Sequence, residues 1–155
     1  MTGRAGGYSL RGATGSDADE VSALVDRAYG HYVDRIGMLP GPMREDHAAV
    51  IRDKRVTVAE QDGELIGVLV LSVTDEGFGI DNVAVDPSRR GTGLGKALLE
   101  LAEAEARRAG FDSIYLYTHE RMVENVALYS RIGYVEYDRR SMGEFSLVFI
   151  RKRLR

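Results

Sequence analysis

A glycine-rich turn, RRGTGLGKALL at residues 89–99, lies directly before a stretch of helix-forming residues. It places three glycines within five positions, and two arginines precede them. A strand pattern, GFGIDNVAVDP, comes before the turn, and the amphipathic pattern LGKALLELAEAEARRAG follows it. The next strand pattern, DSIYLYT, comes after that helix. A strand, a crossover helix and a further strand predict a parallel β-α-β unit, which belongs to an α/β fold.

Hydrophobic periodicity and turn residues divide the rest of the chain into further strands and helices. The dipeptide Asp62-Gly63, with apolar residues on both sides, is a strong signal for a two-residue β-hairpin. Ser16 is the predicted N-cap of the first helix. Strands are predicted at 8–14, on both sides of the hairpin within 56–73, and at 77–87, 112–118, 134–140 and 144–153, and helices at 16–29, 43–52, 94–110 and 121–133.

This order of elements predicts a mixed α/β fold in one domain, with a central mixed, largely antiparallel sheet flanked by about four helices. A chain of 155 residues is long enough to bury a core without disulfides or a metal. We expect residues 8–155 to form this domain and residues 1–7, MTGRAGG, to form a flexible tail. The basic C-terminal stretch IRKRLR is expected to be a solvated edge of the last strand.

Composition excludes several classes of protein. The chain has no cysteine, so disulfides, thiolate metal sites and a cysteine nucleophile are excluded. Its 21 Lys and Arg against 24 Asp and Glu give a net charge of -3, which does not support a nucleic-acid partner. The apolar runs fall short of a membrane span, and the N-terminus lacks the apolar core of a secretory signal, so a cytoplasmic protein without a membrane partner is expected.

The histidines give no sign of a metal site. His31, His47 and His119 are scattered without the spacing of metal ligands, so no metal is predicted. His119 follows a predicted strand, and a loop position without a chemical role is expected for it. Any catalysis by this chain is therefore expected to use oxygen or nitrogen groups without a metal.

The glycine turn can be compared with two other phosphate-binding patterns. The P-loop, G-x-x-x-x-G-K-[ST], has one more residue between its glycines and a hydroxyl residue after the lysine, where this chain has Ala97. The dinucleotide fingerprint, G-x-G-x-x-G near the first strand, differs from the spacing of Gly91, Gly93 and Gly95. A helix N-terminus still offers unpaired N–H groups and a partial positive charge, so the turn predicts a site for a pyrophosphate.

Residues 90–95 match the pattern (Gln/Arg)-x-x-G-x-(Gly/Ala) and resemble the acyl-coenzyme A binding motif of the GNAT superfamily of N-acetyltransferases. NVALYSRIGY at residues 125–134 is similar to the second motif of that superfamily, an Asn and a Tyr one helical turn apart, followed by Gly and an aromatic residue. The resemblance spans roughly residues 79–140, and the upstream order of elements agrees with the family fold. For the glycines alone, a tight turn without a ligand is the alternative.

The resemblance implies direct transfer of an acetyl group from acetyl-coenzyme A, as co-substrate, to a primary amine, without a covalent enzyme intermediate. It implies that the pyrophosphate lies on the amides of the glycine turn and that backbone groups of Val83 and Val85 hold the pantetheine arm beside their strand. One N–H of this strand would polarise the thioester carbonyl. The implied cofactor-binding residues are Val83, Ala84, Val85, Arg90, Gly91, Thr92, Gly93, Leu94, Gly95, Lys96 and Asn125.

Two residues are expected to carry the proton transfers of this reaction. Tyr129 of the second motif is the predicted general acid, because a neutral phenol with a pKa of about 10 can protonate a leaving thiolate. Packing on the apolar side of its helix is the alternative role for Tyr129. Asp81, on the strand before the glycine turn, is the candidate general base, with a solvated carboxylate as its alternative, and Glu76 lies farther back.

The acceptor is predicted less narrowly than the cofactor. The resemblance places acceptor specificity in roughly residues 29–44, including Tyr32, Arg35 and Met38. The acidic balance of the chain favours a small cationic amine, so a small-molecule acceptor is expected. A protein N-terminus or lysine is one alternative, and an acyl-coenzyme A binding or sensing module without activity is another. A homodimer is left open.

Overall fold

The computed structural model describes residues 3–5, 7–37 and 40–154 of the chain. Its strands are β1 (Gly3–Ala5), β2 (Tyr8–Gly12), β3 (Arg55–Gln61), β4 (Glu64–Thr74), β5 (Gly77–Val85), β6 (Ser113–His119), β7 (Val135–Met142) and β8 (Phe145–Arg153). Its α-helices are α1 (Ala18–Tyr29), α2 (Val33–Ile36), α3 (His47–Asp53), α4 (Leu94–Arg108) and α5 (Val123–Arg131). Strand β1, which lies in the segment expected to be a tail, and helix α2 are additions to the predicted elements.

The chain folds as two compact units. The first contains the described residues up to Leu71 and the segment Asn82–Leu101, and the second contains Ser72–Asp81 and the described residues from Ala102 onward. Strands β4 and β5 and helix α4 each contribute residues to both units. None of the helices in the described ranges is long and apolar enough to cross a membrane. The first unit holds the end of β5 and the glycine turn, and the second holds α5.

In the first unit, β1, β2, β3 and β4 pair antiparallel in that order. The hairpin between β3 and β4 turns at Asp62 and Gly63, whose φ angles are 54° and 79°. Positive φ at both central residues is the geometry of a type I′ turn, so the predicted two-residue hairpin is confirmed. The Asp86 N–H donates to the Ile66 carbonyl over 2.9 Å and holds the end of β5 beside β4.

Helix α1 and the first half of α4 pack on opposite faces of β4. The buried cluster under α1 contains Val21, Leu24, Val25 and Ala28 of the helix, with Val68 and Val70 of β4. On the other face, a Cβ at Gly67 would lie 3.1 Å from Leu94 Cδ2 and 3.2 Å from Leu98 Cδ1. Successive strand residues face opposite sides, so Gly67 points to α4 where Val68 points to α1. The missing side chain lets the first turns of α4 approach β4 closely, which positions the glycine turn.

Helix α1 begins differently from the prediction. A short 3-10 turn, Gly15–Asp17, precedes it, and the Thr14 N–H donates to Asp17 Oδ2 over 2.8 Å. Ser16 is therefore not the N-cap, and its hydroxyl bonds to the Thr14 hydroxyl at 2.8 Å. Arg11 donates to both carboxylate oxygens of Asp17, over 2.8 and 3.0 Å. The Arg11 guanidinium, with the Thr14 N–H, lowers the pKa of Asp17 to about 2.

Asp17→Asn is expected to lower the free energy of unfolding by about 2 kcal/mol at pH 7, because it removes the ionised partner of Arg11. The folded pKa of Asp17 lies below its ordinary value of 3.8, so the stabilisation is complete above that value and is lost as the pH falls toward about 2. Urea unfolding of both proteins across this pH range measures the effect. Parallel pH profiles for the two proteins would contradict it.

In the second unit, β5 pairs parallel with β6 at Gly79 and Tyr115, so the predicted crossover through α4 is confirmed. The ring of Tyr115 covers Gly79, where a Cβ would lie 2.7 Å from Tyr115 Cε1. Strand β8 pairs antiparallel with β6 on one side and with β7 on the other. The prediction that the basic stretch IRKRLR forms a sheet edge is therefore wrong for Ile150 and Arg151, which lie between β6 and β7. Arg155 lies outside the described residues.

Candidate active site

The glycine turn follows β5 and is braced at its start by Asp86. The Asp86 carboxylate accepts from the Ser88 N–H over 3.0 Å and from Arg27 Nε over 2.9 Å. Gly91 and Gly93 then adopt φ angles of 78° and 91°, which strongly favour glycine. A Cβ at either position would meet no described atom within 4 Å. The need for glycine therefore comes from the backbone, and the space outside both residues is open to a ligand.

Backbone N–H groups of the turn lie ahead of the first α-helical bond of α4. That bond runs from the Ala97 N–H to the Gly93 carbonyl over 3.0 Å. The amides of residues 93–96 therefore have no carbonyl partner one turn earlier, as at any helix N-terminus. Together with the positive end of the helix dipole, these N–H groups suit the oxygens of a phosphate. The predicted residues Gly93, Leu94, Gly95 and Lys96 supply these amides.

The two arginines of the turn are engaged by the protein itself. Arg89 Nε donates to Gln61 Oε1 over 2.8 Å, and Arg90 donates to the Ala28 carbonyl over 3.0 Å. The amides of Arg90 and Thr92 donate to carbonyls within the turn, over 3.4 Å each. The arginine side chains therefore fix the turn to its own unit, and a bound anion would depend chiefly on the helix amides.

The end of β5 presents alternate backbone groups to opposite sides. Because the Asp86 N–H points to β4, the backbone groups of Ala84 also face β4, whereas those of Val83 and Val85 face away from it. An extended ligand can therefore pair with Val83 and Val85 as an additional strand. Ala84 is predicted to bind the cofactor, but the structure places its side chain in the buried cluster under α1.

The side chains of Tyr29 and Asn82 meet at this strand, and the sequence motifs do not indicate this contact. The Tyr29 hydroxyl, at the end of α1, lies 2.8 Å from Asn82 Oδ1 and 3.0 Å from the Val83 carbonyl oxygen. Tyr29 falls in the segment predicted to select the acceptor, but it lies 54 positions before Val83. Local sequence patterns give no signal for a contact over such a separation.

The segment predicted to select the acceptor, residues 29–44, is described except for residues 38 and 39, so Met38 lies outside the described residues. Tyr32 is buried, and the Arg35 guanidinium lies 5.2 Å from the centre of its ring. This cation–π contact orders part of the segment but does not identify an acceptor.

The second predicted motif lies in the second unit, on α5 and just after it. Tyr129 is 6% exposed, and its ring packs edge-on against Tyr134 with centroids 5.4 Å apart and an interplanar angle of 68°. The Tyr134 N–H donates to the Tyr129 carbonyl over 3.0 Å. Asn125, one turn earlier, is half-buried, and its Nδ2 donates to Met122 Sδ over 3.7 Å. Tyr129 is therefore a packing residue, as the alternative prediction states, but the ring that it contacts is that of Tyr134. This packing role does not exclude chemistry at the Tyr129 hydroxyl.

The Tyr134 hydroxyl is buried and has no hydrogen-bond partner among the described residues. Burial, with the carboxylate of Glu103, raises the pKa of Tyr134. Lys152 Nζ donates to Glu103 Oε2 over 2.9 Å, so this carboxylate already has a cationic partner. Tyr134 therefore stays a neutral phenol, and burying its hydroxyl destabilises the fold.

The protein holds Asp81 and Glu76 in different ways. Asp81, half-buried on β5, accepts from the Ser72 hydroxyl over 2.8 Å. Glu76 is bound by Arg140 and accepts from the Tyr137 hydroxyl over 2.8 Å. Arg140, followed by Tyr137, lowers the pKa of Glu76, which weakens this carboxylate as a proton acceptor. Glu76 is therefore poorly suited to act as a base.

His119 ends β6 and is buried, so the predicted loop position is wrong. Its Nδ1 accepts from the Arg121 N–H over 3.1 Å, and burial lowers its pKa. Since Nδ1 accepts, the neutral ring carries its proton on Nε2 and is a donor rather than a base. Within residues 3–5, 7–37 and 40–154, no cluster of three or more His, Asp or Glu side chains could hold a metal ion.

A sequence model of the acetyltransferase (GNAT) family matches residues 21–134. This match includes β5, the glycine turn and the segment with Tyr129, and it extends over more than half of the chain. The chain therefore belongs to the acetyltransferase (GNAT) family. The resemblance seen in the sequence is confirmed, and so is the mixed α/β fold with its largely antiparallel strands.

Curated relatives match part of the chain. An IAA acetyltransferase of Azospirillum brasilense is 34% identical over 86 residues, which cover 54% of this chain and 56% of that protein. A mycothiol acetyltransferase of Beutenbergia cavernae is 30% identical over 135 residues, which cover 83% of this chain and 46% of that protein. The chain thus spans about half the length of these relatives, and it spans 30% of the mycothiol acetyltransferase of Thermobispora bispora.

Solved structures share the fold over nearly the whole chain. The PaiA N-acetyltransferase from Thermoplasma acidophilum, in complex with coenzyme A, has a TM-score of 0.77 at 18% identity and covers 94% of this chain and 98% of that one. A GNAT family acetyltransferase from Elizabethkingia anophelis with acetyl-CoA bound has a TM-score of 0.74 at 17% identity, over 97% and 100% of the two chains. At these identities the likeness shows a shared fold.

Proposed function

We propose that this protein is an acetyltransferase that binds acetyl-coenzyme A on the glycine turn and transfers the acetyl group directly to an amine. The observation that carries the proposal is the turn itself. Gly91 and Gly93 take positive φ, and the amides of residues 93–96 precede the first helical bond of α4. Such amides and the helix dipole act together on phosphate oxygens. Membership of the GNAT family and the coenzyme-bound structures of two neighbours support this choice of ligand.

The pantetheine arm would pair with the edge of β5 that faces away from β4. Val83 and Val85 offer N–H and carbonyl groups there, because backbone groups point to alternate sides along the strand and the Asp86 N–H points to β4. One N–H of this edge would polarise the thioester carbonyl and stabilise the negative charge that develops on its oxygen. From the family motifs, Arg90, Thr92 and Asn125 remain proposed contacts of the cofactor.

The reaction needs two proton movements, which we assign to Tyr129 and Asp81. The neutral amine attacks the thioester carbon, the carbon–sulfur bond breaks, and the Tyr129 hydroxyl donates its proton to the departing thiolate. Asp81 accepts the proton that the amine loses, and exchange with solvent returns both side chains to their starting states. The products are the acetylated amine and free coenzyme A, and no acyl group becomes attached to the enzyme.

A small-molecule amine is the acceptor in this proposal, and the cytoplasm is the location. The net charge of -3 favours a cationic acceptor. The relatives are named mycothiol acetyltransferase and IAA acetyltransferase, after small molecules rather than proteins. A protein N-terminus or lysine side chain is the alternative acceptor.

Thermal unfolding with added ligands tests the binding part of the proposal. Acetyl-coenzyme A is expected to raise the Tm, because a ligand that binds only the folded state stabilises it, whereas ATP and NAD at the same concentration should not. Release of free thiol with a panel of amines then tests the transfer. An unchanged Tm with every coenzyme A ester would contradict the assigned cofactor. A raised Tm without thiol release on any amine would favour a sensing module.

Asp81→Asn is expected to remove the acidic limb from the pH profile of kcat at saturating amine, because the carboxylate that accepts the amine proton is gone. The amide oxygen of asparagine can still accept from the Ser72 hydroxyl, so the local fold should persist. Asp75→Asn makes the same change at an exposed position between β4 and β5 and should keep the wild-type profile. An unaltered acidic limb in Asp81→Asn would remove Asp81 from the mechanism.

A further inference from the structure

The C-terminal end of α1 is bound to the strand and turn that carry the proposed cofactor site. Three consecutive residues of α1 make these contacts, all of them within the first unit. The contacts are Arg27 with Asp86 at 2.9 Å, Ala28 with Arg90 at 3.0 Å, and Tyr29 with Val83 at 3.0 Å. Of these, the Tyr29 contact reaches the edge of β5 along which the pantetheine arm would bind.

The Tyr29 hydroxyl lies between two acceptors at this edge. It is 2.8 Å from Asn82 Oδ1 and 3.0 Å from the Val83 carbonyl oxygen. The hydroxyl has one proton, which it shares between these two oxygens, and the Val83 carbonyl oxygen has two lone pairs, so this carbonyl keeps one lone pair for a further N–H donor. Asn82 is 8% exposed, so little water can replace the hydroxyl at its amide oxygen. The Tyr29 ring packs against the buried cluster under α1, which holds the hydroxyl in place.

We propose that Tyr29 is a positioning residue for the pantetheine arm of acetyl-coenzyme A. Its hydroxyl fixes the direction of the Val83 carbonyl, and this carbonyl is the acceptor for an amide N–H of the arm. The inference rests on the proposed function, which assigns the arm to this edge of β5. Tyr29 is also the first residue of the segment predicted to select the acceptor, so its hydrogen bond to Val83 links that segment to β5.

Tyr29→Phe removes the hydroxyl and keeps the ring in the core. Calorimetric titration is expected to give a Kd for acetyl-coenzyme A about fivefold higher than in the wild type, the loss that corresponds to one hydrogen bond. Adenosine 3′-phosphate 5′-diphosphate, the nucleotide part of the cofactor without the arm, is expected to bind both proteins with Kd values within about twofold of each other. A general loss of structure would weaken both ligands equally.

Tyr8→Phe is the matched control, because Tyr8 is a buried tyrosine on β2 of the same unit, and it should leave both Kd values at the wild-type level. An unchanged or lower Kd for acetyl-coenzyme A in Tyr29→Phe, or an equal rise for both ligands, would overturn the positioning role. Failure of the wild type to bind acetyl-coenzyme A would instead overturn the proposed function and, with it, this inference.

Discussion

Tyr129→Phe is expected to lower the kcat of acetyl transfer by about 100-fold, because it removes the proposed proton donor for the departing thiolate. The Kd of acetyl-coenzyme A should change by less than about twofold, because proton donation contributes only in the transition state. The phenylalanine ring can also keep the edge-on contact with Tyr134. Steady-state kinetics at saturating amine and direct titration of the cofactor measure the two quantities separately.

Tyr134→Phe is the matched control in the same aromatic pair. The Tyr134 hydroxyl is buried without a partner among the described residues, so its removal should raise the free energy of unfolding by about 1 kcal/mol. The kcat of this variant should stay at the wild-type value. A wild-type kcat in Tyr129→Phe would exclude Tyr129 as the general acid. Equal losses of kcat in the two variants would mean that the aromatic pair acts through packing alone.

Gly93→Ala is expected to weaken the binding of acetyl-coenzyme A by about 100-fold, which corresponds to the loss of one to two charge-assisted hydrogen bonds. Gly93 has a φ of 91° at the N-terminus of α4. A Cβ there would occupy space through which a phosphate reaches the neighbouring amides. Calorimetric titration gives the Kd of each protein.

Gly110→Ala controls for the backbone cost of this substitution. Gly110 has a φ of 89° just after the end of α4, and there, as at Gly93, a Cβ would meet no described atom within 4 Å. Both variants should therefore lose similar stability, about 1 kcal/mol, from a strained backbone. Only Gly93→Ala should lose affinity for the cofactor. Equal, wild-type affinity in both variants would show that the turn does not bind the pyrophosphate.

The sequence predicts well those elements whose conformation depends on residues adjacent in the chain. Asp62-Gly63 specifies its hairpin because two adjacent positions take positive φ. The start of α1 is missed, because Asp17 is held by Arg11 of the preceding strand as well as by a local cap. The position of β8 is missed as well, since strand order depends on tertiary pairing and β8 lies between β6 and β7.

The candidate site likewise contains features that local sequence predicts and features that it does not predict. The glycine turn and the segment with Tyr129 belong to contiguous motifs, whose spacing is visible in the sequence. The contact of Tyr29 with Val83 joins residues 54 positions apart. The Tyr134 hydroxyl lacks a hydrogen-bond partner within the described part of the chain because it is buried. Neither leaves a local signal, because both depend on how distant segments pack.

The proposed binding of the cofactor pyrophosphate by the glycine turn can be tested directly at the backbone amides. In a nitrogen–proton correlation spectrum, addition of acetyl-coenzyme A is expected to shift the amide signals of residues 93–96 more than any others, because their N–H groups would bind the phosphate oxygens. Adenosine, which has no phosphate, should leave these signals in place. Unchanged signals from residues 93–96 at saturating acetyl-coenzyme A would contradict the proposed site.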